Sequence, residues 1–233
     1  MPDVELTWLG HASFRVDSPG GKRLYVDPWL SNPKCPDGEK EPERVDLMAL
    51  THGHGDHIGD ALPLGQKFSP KLVAIIELAS WLEGQGFPGG GQLGMNKGGT
   101  VEAEGIEFTM THAVHSSAMI DGDGPPIYLG EAAGFVVEFE NGTKIYFAGD
   151  TNVFGDMALI RRIYAPELAV LPIGDHFTMG PTEAAVALEL LGVKRCVPCH
   201  WGTFPILAGT PDELRRLTGV EIVDMAPGDT VTV

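Results

Sequence analysis

The chain has 233 residues, a formal net charge of −16 and 43% hydrophobic residues. That length suits one domain over residues 1–233 with a full core, and the acidity opposes generic nucleic-acid binding, which rests on Lys and Arg neutralising phosphates. No apolar stretch approaches the roughly 20 residues of a membrane span, and three cysteines, Cys35, Cys196 and Cys199, argue against a disulfide framework.

The N-terminal Met1-Pro2-Asp3-Val4-Glu5 is acidic and runs straight into a strand, unlike a secretory signal, so the cytoplasm is the expected compartment. Strands are predicted over Val4–Leu9, Ser13–Val16, Leu24–Val26, Asp46–Leu50, Leu72–Ile75 and Ile106–Thr111. Glu77–Gln85 reads as a short helix stopped by Gly86. Turn-rich stretches fall at 18–21, 31–42, 84–91 and 121–126. After Gly130 the rhythm changes. Gly134–Phe139 and Lys144–Phe147 read as a hairpin across Asn141-Gly142. A helix over Met157–Tyr164 and an apolar strand over Leu168–Pro172 follow. Pro181–Leu191 has Pro at its start, Glu183 in its first turn and Gly192 after its end, the punctuation of a helix. Strands over Arg195–Cys199 and Val220–Val223 complete the chain. A β-rich first half and an alternating second half can both be buried by two mixed sheets packed face to face with helices outside.

The densest chemistry is His52-Gly53-His54-Gly55-Asp56-His57, which follows the apolar run Val45–Thr51. Three imidazoles and a carboxylate are good donors for a divalent cation, and the two glycines allow a turn tight enough to aim them at one point. His115, Asp150 and His200 each lie at the end of a strand-like stretch, where a rigid sheet can hold a ligand. Seven such donors exceed the needs of a single tetrahedral zinc and suit two adjacent ions. Zinc is the first expectation for both; Mn, Fe, Ni and Co suit the same donor set.

These residues, in order and approximate spacing, resemble the metal motifs of the metallo-β-lactamase superfamily. Further motifs narrow the resemblance: Trp8-Leu9-Gly10-His11-Ala12-Ser13-Phe14, Asp27-Pro28, Gly94-Met95-Asn96, His115-Ser116-Ser117, Gly149-Asp150-Thr151 and the segment Pro172–Pro181. They look like a branch of bacterial and archaeal metal-dependent hydrolases similar to ascorbate-6-phosphate lactonase and N-acyl-phosphatidylethanolamine phospholipase D. The resemblance implies a four-layer αββα sandwich with the site along one edge between the sheets. It implies that His52, His54 and His115 hold one metal, that Asp56, His57 and His200 hold the second, and that Asp150 bridges them. No sequence repeat displays the two-fold pseudosymmetry expected of such a fold. The implied activity is hydrolysis of an ester, lactone or phosphodiester of small-molecule size by a metal-activated hydroxide, with Asp56 and Asp150 in catalytic positions. A metal-binding sensor and a diiron oxidoreductase are the competing readings. A homo-oligomer is left open.

The remaining candidates carry two readings each. His11, in the turn Leu9-Gly10-His11-Ala12-Ser13, is expected to contact substrate, help catalysis or support a ligand, against a turn histidine that caps backbone groups. His176 lies in a loop after an apolar strand and is read as a substrate-binding residue near the mouth. His112, three before His115, falls on the opposite face of a continuing strand. Asp27 before Pro28 is a turn former or, by resemblance, a partner behind a ligand histidine; Asp175 has the same two readings. Cys196-Val197-Pro198-Cys199-His200 matches the haem-attachment pattern, yet lacks an export signal, and only Cys35 remains for a second zinc half-site. Both thiols are therefore expected to be reduced and outside the coordination set.

Overall fold

Alternating apolar residues decide how the strands of this computed structural model are layered. It describes residues 2–89, 92–120, 122 and 124–233; the expected turns at Gly90, Gly91, Asp121 and Asp123 lie outside the described residues. The first strands are β1 (Glu5–Trp8), β2 (Phe14–Asp17), β3 (Arg23–Val26), β4 (Leu47–Leu50), β5 (Lys71–Ile75) and β6 (Gln92–Met95). The next are β7 (Thr100–Ala103), β8 (Ile106–His112), β9 (Ala118–Met119), β10 (Ile127–Tyr128), β11 (Ala133–Glu138) and β12 (Lys144–Phe147). The last four are β13 (Leu168–Pro172), β14 (Arg195–Cys199), β15 (Glu221–Ile222) and β16 (Thr230–Thr232). The helices are α1 (Gly55–Ile58), α2 (Ala61–Phe68), α3 (Ile76–Gly84), α4 (Met157–Tyr164), α5 (Pro181–Leu191) and α6 (Pro211–Leu217).

One sheet runs β16-β1-β2-β3-β4-β5-β6 and the other β7-β8-β11-β12-β13-β14-β15, each of 7 strands. In those orders both sheets have three antiparallel pairings followed by three parallel ones. The pseudosymmetry that no sequence repeat displays is therefore plain in the topology. Side-chain alternation then makes the layers. On β12, Ile145 and Phe147 join the core shared by the two sheets, where Phe147 meets Phe14 edge-on at 6.1 Å between ring centroids. Tyr146, between them in sequence, joins a second core with Met157, Ile160 and Leu188 of α4 and α5. The arrangement is the expected αββα sandwich.

The predicted elements recur with shifts of a residue or two; the helix expected over 77–85, for example, runs Ile76–Gly84. Several elements carry no strong sequence signal. α2 contains Pro63 and Gly65, both poor helix formers. Gly65 is there for space: a Cβ on it would lie 2.2 Å from the Phe87 ring. α6 opens on Thr210-Pro211-Asp212-Glu213, where Thr210 Oγ1 accepts from the Glu213 amide, a capping box legible in retrospect. The edge strands β7 and β16 have few apolar residues because each faces solvent.

Phe147 is 2% exposed and sits between the sheets. Phe147→Ala should cost about 3–5 kcal/mol, the range for deleting a buried aromatic ring. Urea unfolding of the metal-free protein would measure it.

Candidate metal centre

The C-terminal ends of strands from both sheets converge on one edge. β4 runs into Thr51 and His52; His54 then caps α1, a single turn that carries Asp56 and His57. Gly53 is needed for close approach: a Cβ on it would lie 2.7 Å from Leu129, and its amide donates to Ser117 Oγ at 3.0 Å. β8 leads to His115, β12 to Asp150 through Gly149 (φ +62°), and β14 to His200 (φ +53°).

Among the described residues, two groups of four donors, and a third of Asp27, His52 and His57, have atoms within 4.8 Å of one another. The first is His52, His54, His115 and Asp150; the second is His11, Asp56, His57 and His200. In the first, His54 Nδ1 lies 3.0 Å from His52 Nε2 and 3.3 Å from His115 Nε2. Asp150 Oδ2 stands between the groups, 3.2 Å from His200 Nε2, 3.3 Å from His57 Nε2, 3.6 Å from His115 Nε2 and 3.9 Å from His52 Nε2.

The centre is short of partners. Among the described residues, His57 Nε2, His200 Nε2 and Asp150 Oδ1 are buried without a hydrogen bond. Such orphans are rare in native proteins. Imidazole nitrogens gathered around the Asp150 carboxylate are a donor set that fits divalent cations. The charges agree. Burial opposes the Asp150 carboxylate, yet His200 and His57 hold it well below the usual range. Burial alone would lower His57 and His200, but Asp150 outweighs it, aided at His57 by Asp27, so that His57 is raised well above its ordinary value and His200 to about 9. The buried carboxylates thus call for positive charge at His57 and His200, whereas burial lowers His52, His54 and His115, and protons and divalent cations compete for the same atoms.

Asp27, 1% exposed with φ +47°, lies behind two of the candidate donors, His57 and His52. Its Oδ1 accepts from the Thr51 amide at 2.8 Å, and its Oδ2 from the Thr51 hydroxyl at 2.6 Å. Asp27 Oδ2 also lies 2.8 Å from His57 Nδ1. Because the Thr51 hydroxyl donates to Asp27, its oxygen can accept from His52 Nδ1, 3.0 Å away. Both imidazoles are thereby held with the proton on Nδ1 and the Nε2 lone pair toward the centre.

The other candidates separate. His11 is fully buried beside Asp56 and His200, and the cavity at the centre is lined by other residues. The cavity, about 350 Å³, is lined by His54, Asp56, His115, Ser116, Asp150, Phe177 and His200. His176 is exposed and leans edge-on against Phe177, which takes the lining position foreseen for it. Asp175 Oδ1 accepts from the His176 amide at 2.7 Å, a bond within the loop, and among the described residues it has no hydrogen bond to a candidate donor histidine. Asp175 and His176 both have positive φ, and Phe177, 55% exposed, lies at the rim of the cavity. His112 is exposed beside Lys97 and Phe154. Cys199 belongs to the core between the sheets and Cys196 to the helix-side core, so the two thiols point apart and cannot chelate together. Burial raises both thiols above their ordinary value. Thr51, Ser116 and Phe177 were not foreseen; the first two adjoin ligands in sequence, while nothing local marks Phe177.

Asp27→Asn keeps the volume but replaces an acceptor by an amide donor facing His57 Nδ1. Metal affinity should fall about 10–100-fold, read by chelator competition. Cys196→Ser and Cys199→Ser should leave the metal content unchanged by elemental analysis, with at most a modest loss of stability from burying a hydroxyl.

Residues 22–201 match the family model described as the beta-lactamase superfamily domain. A UPF0173 metal-dependent hydrolase of Koribacter versatilis is 48% identical over 232 residues, covering 99% of this chain and 98% of the relative. One from Solibacter usitatus is 50% identical over 232 residues, covering 98% and 99%. Among solved structures, Igni18, a metallo hydrolase of the archaeon Ignicoccus hospitalis, is similar with a TM-score of 0.87 and 34% identity, covering 99% of this chain and 98% of that one.

Proposed function

We propose, because this chain belongs to the β-lactamase superfamily and within it to the metal-dependent hydrolases, that it hydrolyses an ester, lactone or phosphodiester of small-molecule size at a binuclear centre. The observation that carries this reading is the position of Asp150 Oδ2, within 3.9 Å of imidazole nitrogens from both donor groups. A carboxylate has two oxygens and can serve two cations, whereas a neutral imidazole nitrogen serves one. His52, His54 and His115 would hold the first ion, Asp56, His57 and His200 the second, and Asp150 both. When bound, such a pair, zinc in the first instance, supplies a hydroxide nucleophile at neutral pH and polarises the oxygen of the substrate.

The chain's own residues set the rest. Asp56, half-buried at the cavity wall, and Asp150 offset the charge of the two cations. Ser116 Oγ, 3.3 Å from His54 Nε2, steadies that ring and faces the cavity. Phe177, exposed at the rim, offers the cavity an apolar edge against which a substrate can pack. The cavity volume suits a small molecule rather than a polymer. Among the described residues no helix is long and apolar enough to cross a membrane, and the cytoplasm is the proposed compartment.

Metal-replete protein should carry close to two divalent ions per chain by elemental analysis. On a panel of nitrocefin, a lactone and bis-p-nitrophenyl phosphate, it should hydrolyse at least one substrate; metals bound with no turnover on any would favour a sensor. Asp150→Asn should remain folded and lose turnover. A folded variant with full turnover and both ions would remove Asp150 from the bridging position.

A further inference from the structure

His11 is held more tightly than a turn histidine needs to be. Its carbonyl accepts from the Trp8 indole and from the His200 amide, each at 2.9 Å. Its ring is fully buried, 4.0 Å from the His200 ring between centroids and edge-on to Trp29 at 5.3 Å. Both ring nitrogens have partners. Nε2 lies 3.0 Å from Asp56 Oδ2, and Nδ1 lies 2.9 Å from Thr203 Oγ1.

Asp56 is the ligand most in need of a guide. Its side chain is 31% exposed, and among the described residues its one side-chain hydrogen bond is to His11. The other ligands near it are oriented from behind: His57 by Asp27, His52 by Thr51 and His54 by Ser116. A carboxylate on a one-turn helix can rotate and present either oxygen. A donor on one oxygen fixes which edge meets the ion.

We propose that Thr203 and His11 form a relay that positions Asp56 at the second metal, with the Thr203 hydroxyl donating to His11 Nδ1 and His11 Nε2–H donating to Asp56. A neutral imidazole has one N–H. A hydroxyl that donates to Nδ1 leaves that proton on Nε2, where Asp56 can accept it. Asp56, an acceptor only, thus calls for the proton on Nε2, the Thr203 hydroxyl satisfies the bare Nδ1 and holds the ring in that tautomer, and His11 selects the oxygen that Asp56 presents. The relay joins the β1–β2 turn to the loop after β14 and meets the second ion's ligands from the side away from the cavity. It acts without touching substrate, so both are positioning residues. This inference rests on the binuclear reading.

The test uses zinc-loaded protein labelled with ¹⁵N-histidine, the His11 signal being identified by its loss in His11→Gln. A protonated Nε2 and a bare Nδ1 are expected. A protonated Nδ1 with a metal-shifted Nε2 would overturn the relay and make His11 itself a ligand. Thr203→Val removes the hydroxyl at nearly constant volume and should weaken the second ion about 10–100-fold in chelator competition, and Thr203→Ser should restore it. Equal affinity in all three proteins would remove Thr203 from the relay. Elemental analysis of the unaltered protein separates the two ideas: no bound ion sinks the binuclear centre, whereas two bound ions with the wrong tautomer sink only the relay.

Discussion

The centre depends on the buried carboxylate of Asp27. Its three close partners are the Thr51 amide, the Thr51 hydroxyl and His57 Nδ1. A carboxylate so placed, 1% exposed, would be costly to bury without them. With them, it decides where protons sit on two imidazoles and so which nitrogens are free to bind a cation. It also joins the end of β3 to the loop after β4, adjacent parallel strands of one sheet. Backbone geometry, tautomer and ligand direction are therefore set by one group.

The other sheet supplies the complementary half. Asp150 follows β12, His115 follows β8 and His200 follows β14, so that three donors enter from the second sheet and four from the loop after β4. Neither sheet holds a complete donor group alone. Packing between the sheets, centred on residues such as Phe14 and Phe147, is then what fixes the separation of the donors. Core substitutions far from the centre can alter it through that separation. The accumulation of carboxylates and imidazoles is tolerable because the charges are opposite and adjacent, and because cations fit the space between them.

Much of this is legible in the sequence. Strand ends marked by His or Asp after apolar runs reveal His52, His115, Asp150 and His200 before any coordinates are known, because a donor there has little local structural purpose. Local pattern shows Asp27 only as a turn former, and the family resemblance alone sets it behind a ligand histidine, since its partners Thr51 and His57 lie 24 and 30 residues away. Thr203 meets His11 across 192 residues, a pairing no local pattern encodes. His11 itself is visible as a motif residue, but its burial depends on Trp29, His200 and Phe204 closing around it. His176 and Phe177 show the same limit. Sequence marks their loop, yet no local pattern tells that Phe177 rather than His176 borders the cavity, in a backbone with positive φ at Asp175 and His176.

The order of strands also has a temporal side. β1 pairs with β16, and Thr7 Oγ1 meets Thr230 Oγ1 across 223 residues. Contacts so distant in sequence carry a large loop-closure entropy and form late. During synthesis the outer edge of the first sheet stays unpaired until nearly the whole described chain has emerged, while the hairpin of β11 and β12 can form at once. An unpaired edge beside an apolar core invites association with other chains. The last short strand therefore acts as a latch on assembly, and the β1–β2 turn that carries His11 rests on the sheet it closes.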